Sequence, residues 1–331
     1  MAFVVDGAEW CFDHWTEASV EAALDEFLER VETARERNET VWVGDDLQTR
    51  SVLAAFDLWQ LWSPDSPIRL RAEIGHELAA WLGSAPRYLD EDVWPDGIED
   101  TNIRVDGNAA SENCDVAWAH HHVRAGRAIA CLSLGRIGPH ETSSSHGDAV
   151  VHWIKDEATH VAFWRDAIDL ERDTEETLER LGPHAFPNLY FPQGVWNGLR
   201  RFDGGYQAVR LTIRRYLTIL DEYGSWAFTF PPPALSPGEA AGSDFNASPS
   251  KQIVRRRFSG LALTMEPENP DVRADTTCRE AREITIGGRT LYCEWHAKLE
   301  PHRNRIHVHA PVAESNDRVI IAIFAEHLPL P

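Results

Sequence analysis

The sequence predicts an α+β protein: an N-terminal α/β-like domain followed by a C-terminal antiparallel β-sheet domain with packed helices. Three observations carry this. The 331 residues leave room for about two domains. Helical and strand-like segments alternate through residues 1–190, a pattern of α/β and α+β folds. Three strand-like runs then follow one another at the C-terminal end: Thr290–Leu299, Asn304–Ala310 and Arg318–Ala325. The last is nearly pure apolar, as in buried sheets, and Pro301 and Glu314–Asp317 supply the turns between them. The expected division is 1–190 as an acidic α/β or α+β domain, 191–225 as a connecting helical region, and 226–331 as the antiparallel-sheet domain.

Thr16 can cap a helix over residues 16–37, with Val20, Leu24, Phe27, Leu28 and Val31 at helical spacing. Thr40–Val43 is a short strand ending in Gly44-Asp45-Asp46, where an α/β site can place an acid or a metal ligand. The same carboxylates can cap a helix over Leu47–Leu61. Ile68–Leu82 is a helix with Glu73, His76 and Glu77 on one face. Residues 86–115 are acidic and rich in turn formers. Asn113–Gly126 is helical, and its adjacent His120, His121 and His122 must point in different directions.

Ala128–Leu134 is a buried strand. Gly135–Gly147 is a loop whose amides and hydroxyls suit an anion, although it lacks the terminal Gly-Lys-Ser/Thr of a phosphate loop. A strand over Ala149–Ile154 and a helix over Thr159–Ile168 complete this half. Tyr206–Tyr223 is an amphipathic helix, Ser225–Phe230 a strand and Ala234–Ser250 a linker. Ser250–Leu263 is a basic helix carrying Lys251 and Arg255–Arg257.

The net charge of −21 is unevenly spread. Residues 226–331 hold 12 Lys and Arg against 13 Asp and Glu, which leaves 20 basic and 40 acidic residues upstream. An acidic surface repels naked nucleic acid and suits a basic protein partner or solubility. The five cysteines are odd in number and form no CxxC pair, which argues for a reducing compartment. The N-terminus has no signal-peptide pattern and no apolar run is long enough to span a bilayer, so the expected location is cytoplasmic.

Chemistry-bearing residues concentrate in the last stretch, which holds His296, His302, His307, His309 and His327. Metal-free RNA cleavage needs a base for the 2′-hydroxyl, a cation for the phosphorane and an acid for the leaving oxygen. Histidine suits proton transfer near neutrality and arginine suits phosphate. In a regular strand Glu294, His296 and Lys298 share one face, as do Arg305, His307 and His309. The expected roles are Glu294 or His296 as base, Arg305 and Lys298 as phosphate clamps and His327 as acid. Arg289, His307 and His309 are further binding groups. The bland alternative is an exposed polar sheet face. A metal reading pairs Cys293 with His296, completed by Cys278, His307 and His309.

From Trp226 the expected order of strand, helix, possible second helix and three strands resembles the RelE/ParE superfamily of small bacterial toxins. Asn304-Arg305-Ile306-His307 and the apolar run Val319–Ala325, followed by Glu326-His327, resemble its YoeB-like branch. The resemblance covers at most 106 of the 331 residues. This chain ends in Leu328-Pro329-Leu330-Pro331 where those toxins have an aromatic residue, and the segment is not basic. What the resemblance implies is a toxin-like ribonuclease acting on RNA without cofactor or metal. Two alternatives stand beside it: a non-catalytic interaction subunit of a bacterial defence or toxin–antitoxin-like assembly, and a metal-dependent hydrolase or nuclease using Asp45, Asp46 and upstream histidines.

Overall fold

A computed structural model places the chain in two compact units, Met1–Arg172 and Asp173–Pro331. It describes residues 2–91, 94–242 and 247–331. The fold is α+β. The expected connecting helix lies inside the second unit, and the expected linker Ala234–Ser250 falls partly outside the described residues.

In the first unit the strands are β1 (Phe3–Val5), β2 (Val41–Trp42), β3 (Ser51–Leu53), β4 (Phe56–Asp57), β5 (Asn102–Val105), β6 (Ser111–Glu112), β7 (Ala130–Leu132), β8 (Gly138–Ser144) and β9 (Gly147–Ile154). The helices are α1 (Glu17–Glu36), α2 (Ala72–Leu82), α3 (Cys114–Arg124) and α4 (Glu157–Leu170). The main sheet has the order β2-β1-β7-β9-β8-β5-β6. Pairing is parallel from β2 to β9 and antiparallel from there outward. Thr16 caps α1 through Ser19 N–H, and Val20, Leu24, Phe27, Leu28 and Val31 are its buried stripe.

Trp42, Trp118 and Trp153 pack with Tyr88, Ile103 and Val151 in one core. The three adjacent histidines diverge as expected. His120 contacts the Thr142 and Ser144 hydroxyls, His121 the Asp100 carbonyl, and His122 the Trp118 ring.

Two expectations for this unit fail. Residues 47–61 form no α-helix but turns, the small β3–β4 ribbon and a short 3-10 segment. Gly135–Gly147 is not a loop throughout, because most of it is β8, paired along its whole length with β9. The hairpin supplies backbone partners that turn-rich composition does not reveal.

Asp6 and Asp115 brace the end of β1. Asp6 accepts from Trp153 Nε1 at 2.8 Å and Asn113 Nδ2 at 3.0 Å. Asp115 accepts from Gly7 N at 2.9 Å and the Tyr88 hydroxyl at 3.0 Å. Burial, stronger than these hydrogen bonds, pushes Asp115 up to about 6 from 3.8. The folded state therefore holds a proton more tightly than the unfolded chain between those values. Its stability falls as pH rises through that window, and the cost is complete above it. Asp115→Asn is expected to raise unfolding free energy at pH 7.5 by about 1–3 kcal/mol, and by less at pH 5. Urea unfolding at both pH values checks this; a variant less stable than wild type at pH 7.5 contradicts it.

The second unit contains α5 (Glu175–Ala185), β10 (Leu189–Tyr190), α6 (Gly205–Thr229), α7 (Lys251–Gly260), β11 (Met265–Pro267), α8 (Pro270–Ala274) and α9 (Thr276–Glu280). Five strands follow: β12 (Glu283–Ile286), β13 (Arg289–Tyr292), β14 (Trp295–Lys298), β15 (Arg305–His309) and β16 (Val319–Ala325). The sheet order is β10-β16-β15-β14-β11, antiparallel except for the β10–β16 edge. The apolar run Val319–Ala325 is thus an interior strand, as its composition predicts.

The expected strand Ser225–Phe230 is instead the last turn and end of α6. Its carbonyls find a donor that the local sequence does not show. The buried guanidinium of Arg257 on α7 donates to the carbonyls of Ala227, Phe230, Pro231 and Ala234. One face of the sheet is closed by aromatic packing of Phe228 on Trp295 and Phe258. Gly198 is needed where a 3-10 segment meets β16, because a Cβ there would run into the Phe324 carbonyl oxygen.

Candidate metal centre

The other face of this sheet carries the chemistry. His296 and His307 are direct partners across the β14–β15 pair, and Lys298 and Arg305 form the next pair on the same face. Glu268 follows β11 by one residue, and its N–H donates to the Glu294 carbonyl at 2.7 Å, extending the ladder. That hydrogen bond brings the Glu268 carboxylate over the histidine pair. Arg282 lies between α9 and β12. It is anchored by donation from Nη1 to the Cys278 and Pro329 carbonyls at 2.8 and 3.1 Å.

Glu268 Oε1 lies 3.0 Å from His296 Nδ1, 3.6 Å from His307 Nδ1 and 3.0 Å from Arg282 Nε. Glu268, His296 and His307 are 9%, 5% and 0% exposed, and Arg282 is fully buried. These close approaches are ion pairs, those of Arg282 and His296 with Glu268 the shortest. Beside them Arg282 Nη2, the Tyr292 hydroxyl, Arg305 Nε and His307 Nε2 are buried with neither a hydrogen-bond nor an ion-pair partner. Buried polar groups are ordinarily paired, so a concentration of this kind marks a site.

The separations have a simple reading. Zinc binds His nitrogen and carboxylate oxygen at about 2.0–2.2 Å, which in a tetrahedron sets neighbouring ligand atoms about 3.4 Å apart. The 3.0 and 3.6 Å distances from Glu268 to the two histidines bracket that value. One ligand atom from each residue can be chosen so that all lie within 4.8 Å of one another, and no second such set occurs among the described residues. Two imidazoles and a carboxylate are a donor set that zinc accepts, so the residues fit the ion.

Burial pushes His307 down to about 3, reinforced by His296, so its imidazole is neutral. Burial alone would raise Glu268, but contact with His296 and Arg282 outweighs it and holds the carboxyl at about 2. Arg282 holds the carboxylate in place, as outer partners of metal ligands do. Tyr292, Lys298 and Arg305 are only half-buried and form the rim.

The sequence-predicted residues divide into those the fold gathers and those it disperses. His296, His307, Lys298 and Arg305 come together. Glu294 does not join them, because the expected strand Thr290–Leu299 breaks at Cys293–Glu294 into β13 and β14, which belong to different sheets. The Glu294 carboxylate pairs with Lys251. His327 lies beyond β16, exposed, with Nδ1 2.7 Å from the Leu328 carbonyl. Arg289 pairs with Glu314 at 2.8 Å on the separate β12–β13 ribbon.

His309 lies past a bulge between His307 and Val308, with Nδ1 2.7 Å from its neighbour's carbonyl. Asp45 pairs with Arg87 at 3.1 Å and Asp46 approaches Arg50 at 3.9 Å. Cys293 lies in an apolar cluster with Leu291 and Ile320, and burial pushes its thiol up to about 12. Glu268 and Arg282 escape sequence reasoning. The one local cue is the alternating acidic pair Glu266 and Glu268.

Comparisons with family models, with curated proteins and with solved structures found no match to this chain. Among the described residues, no helix is long and apolar enough to cross a membrane.

Proposed function

We propose that the second unit is a metal-dependent hydrolase of phosphodiesters, with Glu268, His296 and His307 holding a zinc-class divalent ion. The convergence of three buried ligand atoms carries this reading. Such an ion lowers the pKa of a bound water toward neutrality, which supplies the nucleophile. Arg305 and Lys298, one rung away on the same face, supply positive charge for the phosphate oxygens. Tyr292 offers a hydroxyl without a hydrogen-bond partner at the rim. RNA is the first substrate to test, because a phosphodiester is the anion these cations suit.

A second reading uses the same face without a metal. Adjacent histidine and cation rungs also suit a toxin-like ribonuclease, with His296 as base and Arg305 as phosphate clamp. One experiment separates the two. Labelled single-stranded RNA is incubated with zinc-loaded and chelator-treated protein, beside Arg305→Ala. The metal reading predicts cleavage that is lost on chelation and restored by zinc, with Arg305→Ala slower by about 10²-fold. Cleavage undiminished by chelation supports the metal-free reading. No cleavage under either condition would leave the interaction-subunit reading in their place.

A further inference from the structure

In the first unit, the chain leaves β1 and crosses through α1 to β2 on one side, while β7 lies on the other. The carboxyl ends of β1 and β7 therefore flank a point where strand order reverses, the place where open α/β sheets bind ligands. The loop directly after β7, Ser133–Arg136, turns successive donors toward one point there. They converge on the carboxylate of Glu9, in the short turn after β1. Oε2 accepts from Leu134 N at 2.9 Å, Gly135 N at 3.1 Å and the Ser133 hydroxyl, and Oε1 accepts from Arg136 N at 3.0 Å.

Three consecutive backbone amides and a hydroxyl aimed at one anion make a nest of the kind that holds phosphate. Arg136 adds a cation at the rim, its guanidinium 4.7 Å from the Trp153 ring centre. The nest is not sealed. Gly135 is exposed, and a Cβ built there would meet nothing within 4 Å.

We infer that Ser133–Arg136 is a phosphoryl-binding nest and that Glu9 is its built-in occupant, displaced when a phosphoryl group binds. Glu9 is half-buried on a turn of only three residues, so its side chain can leave without disturbing β1 or α1. A tethered carboxylate competes at high effective concentration, which weakens the nest for external anions until the carboxylate is displaced or removed. This site is independent of the metal centre.

The test is a titration with inorganic phosphate, following the amide resonances of Leu134, Gly135 and Arg136 in wild type, Glu9→Ala and Glu9→Gln. The expected result is saturable movement of those resonances, with affinity about tenfold or more higher in Glu9→Ala than in wild type. Glu9→Gln retains an acceptor oxygen and serves if Glu9→Ala does not fold. Phosphate affinity equal to that of wild type in the folded variants overturns the inference. So does movement confined to other residues, and so does loss of folding in both variants, which would make Glu9 a structural brace.

Discussion

His307→Ala is expected to lower zinc affinity by about 100-fold or more, since even outer-shell partners of a metal are worth 10–100-fold. His307 is fully buried and both ring nitrogens lack a hydrogen bond, so a role in hydrogen bonding within the fold does not explain it. Competition with a chromogenic chelator reads the affinity directly. A purely packing role predicts a destabilised protein with unchanged zinc affinity. Glu268→Gln separates the two further, because it keeps volume and removes the carboxylate charge. Loss of zinc binding in Glu268→Gln with the fold intact is the expected result. Affinity retained in both variants counts against the centre.

Arg282→Met is expected to destabilise the protein by about 3–5 kcal/mol, the usual effect of removing one partner from a buried ion pair. Arg282 is fully buried beside Glu268, whose carboxylate would be left without its arginine. Glu268 is held at about 2 in the folded protein, below its usual 4.5. The stability it contributes is therefore present above pH 4.5 and is lost as pH falls toward 2. The double variant Arg282→Met with Glu268→Gln should recover part of the loss, because the stranded charge is gone. Urea unfolding followed by tryptophan fluorescence measures each variant. A loss under about 1 kcal/mol for Arg282→Met would show that the pair contributes no more than an exposed one.

The parts of the fold legible in the sequence are those set by short-range pattern. The helix capped by Thr16, the apolar strand Val319–Ala325 and the histidine-rich strand at Arg305–His309 all follow from spacing. Where distant partners decide, the pattern misleads. Residues 225–230 have strand-like composition, yet they end a helix because Arg257, about thirty residues on, accepts the task of pairing its carbonyls.

The same distinction runs through the site. Alternation correctly places His296 with Lys298 and Arg305 with His307, and the register then makes them neighbours. It fails at Glu294, because the hairpin β12–β13 and the β14 strand part company there. Glu268 enters only through the pairing of β11 with β14, a long-range event with no local signature. A polar sheet face with no visible cover reads as exposed. It is buried here: His296 and His307 are almost fully enclosed, with the buried Arg282 paired to Glu268 beside them.

X-ray absorption on the zinc-loaded wild-type protein tests the metal centre most directly. The Glu268–His296–His307 assignment predicts one zinc per chain, with nitrogen and oxygen neighbours at about 2.0–2.2 Å and imidazole outer-shell scattering from two rings. Sulfur neighbours at about 2.3 Å, which would move the ion to Cys278 or Cys293, or failure to retain zinc at equimolar concentration, would contradict it.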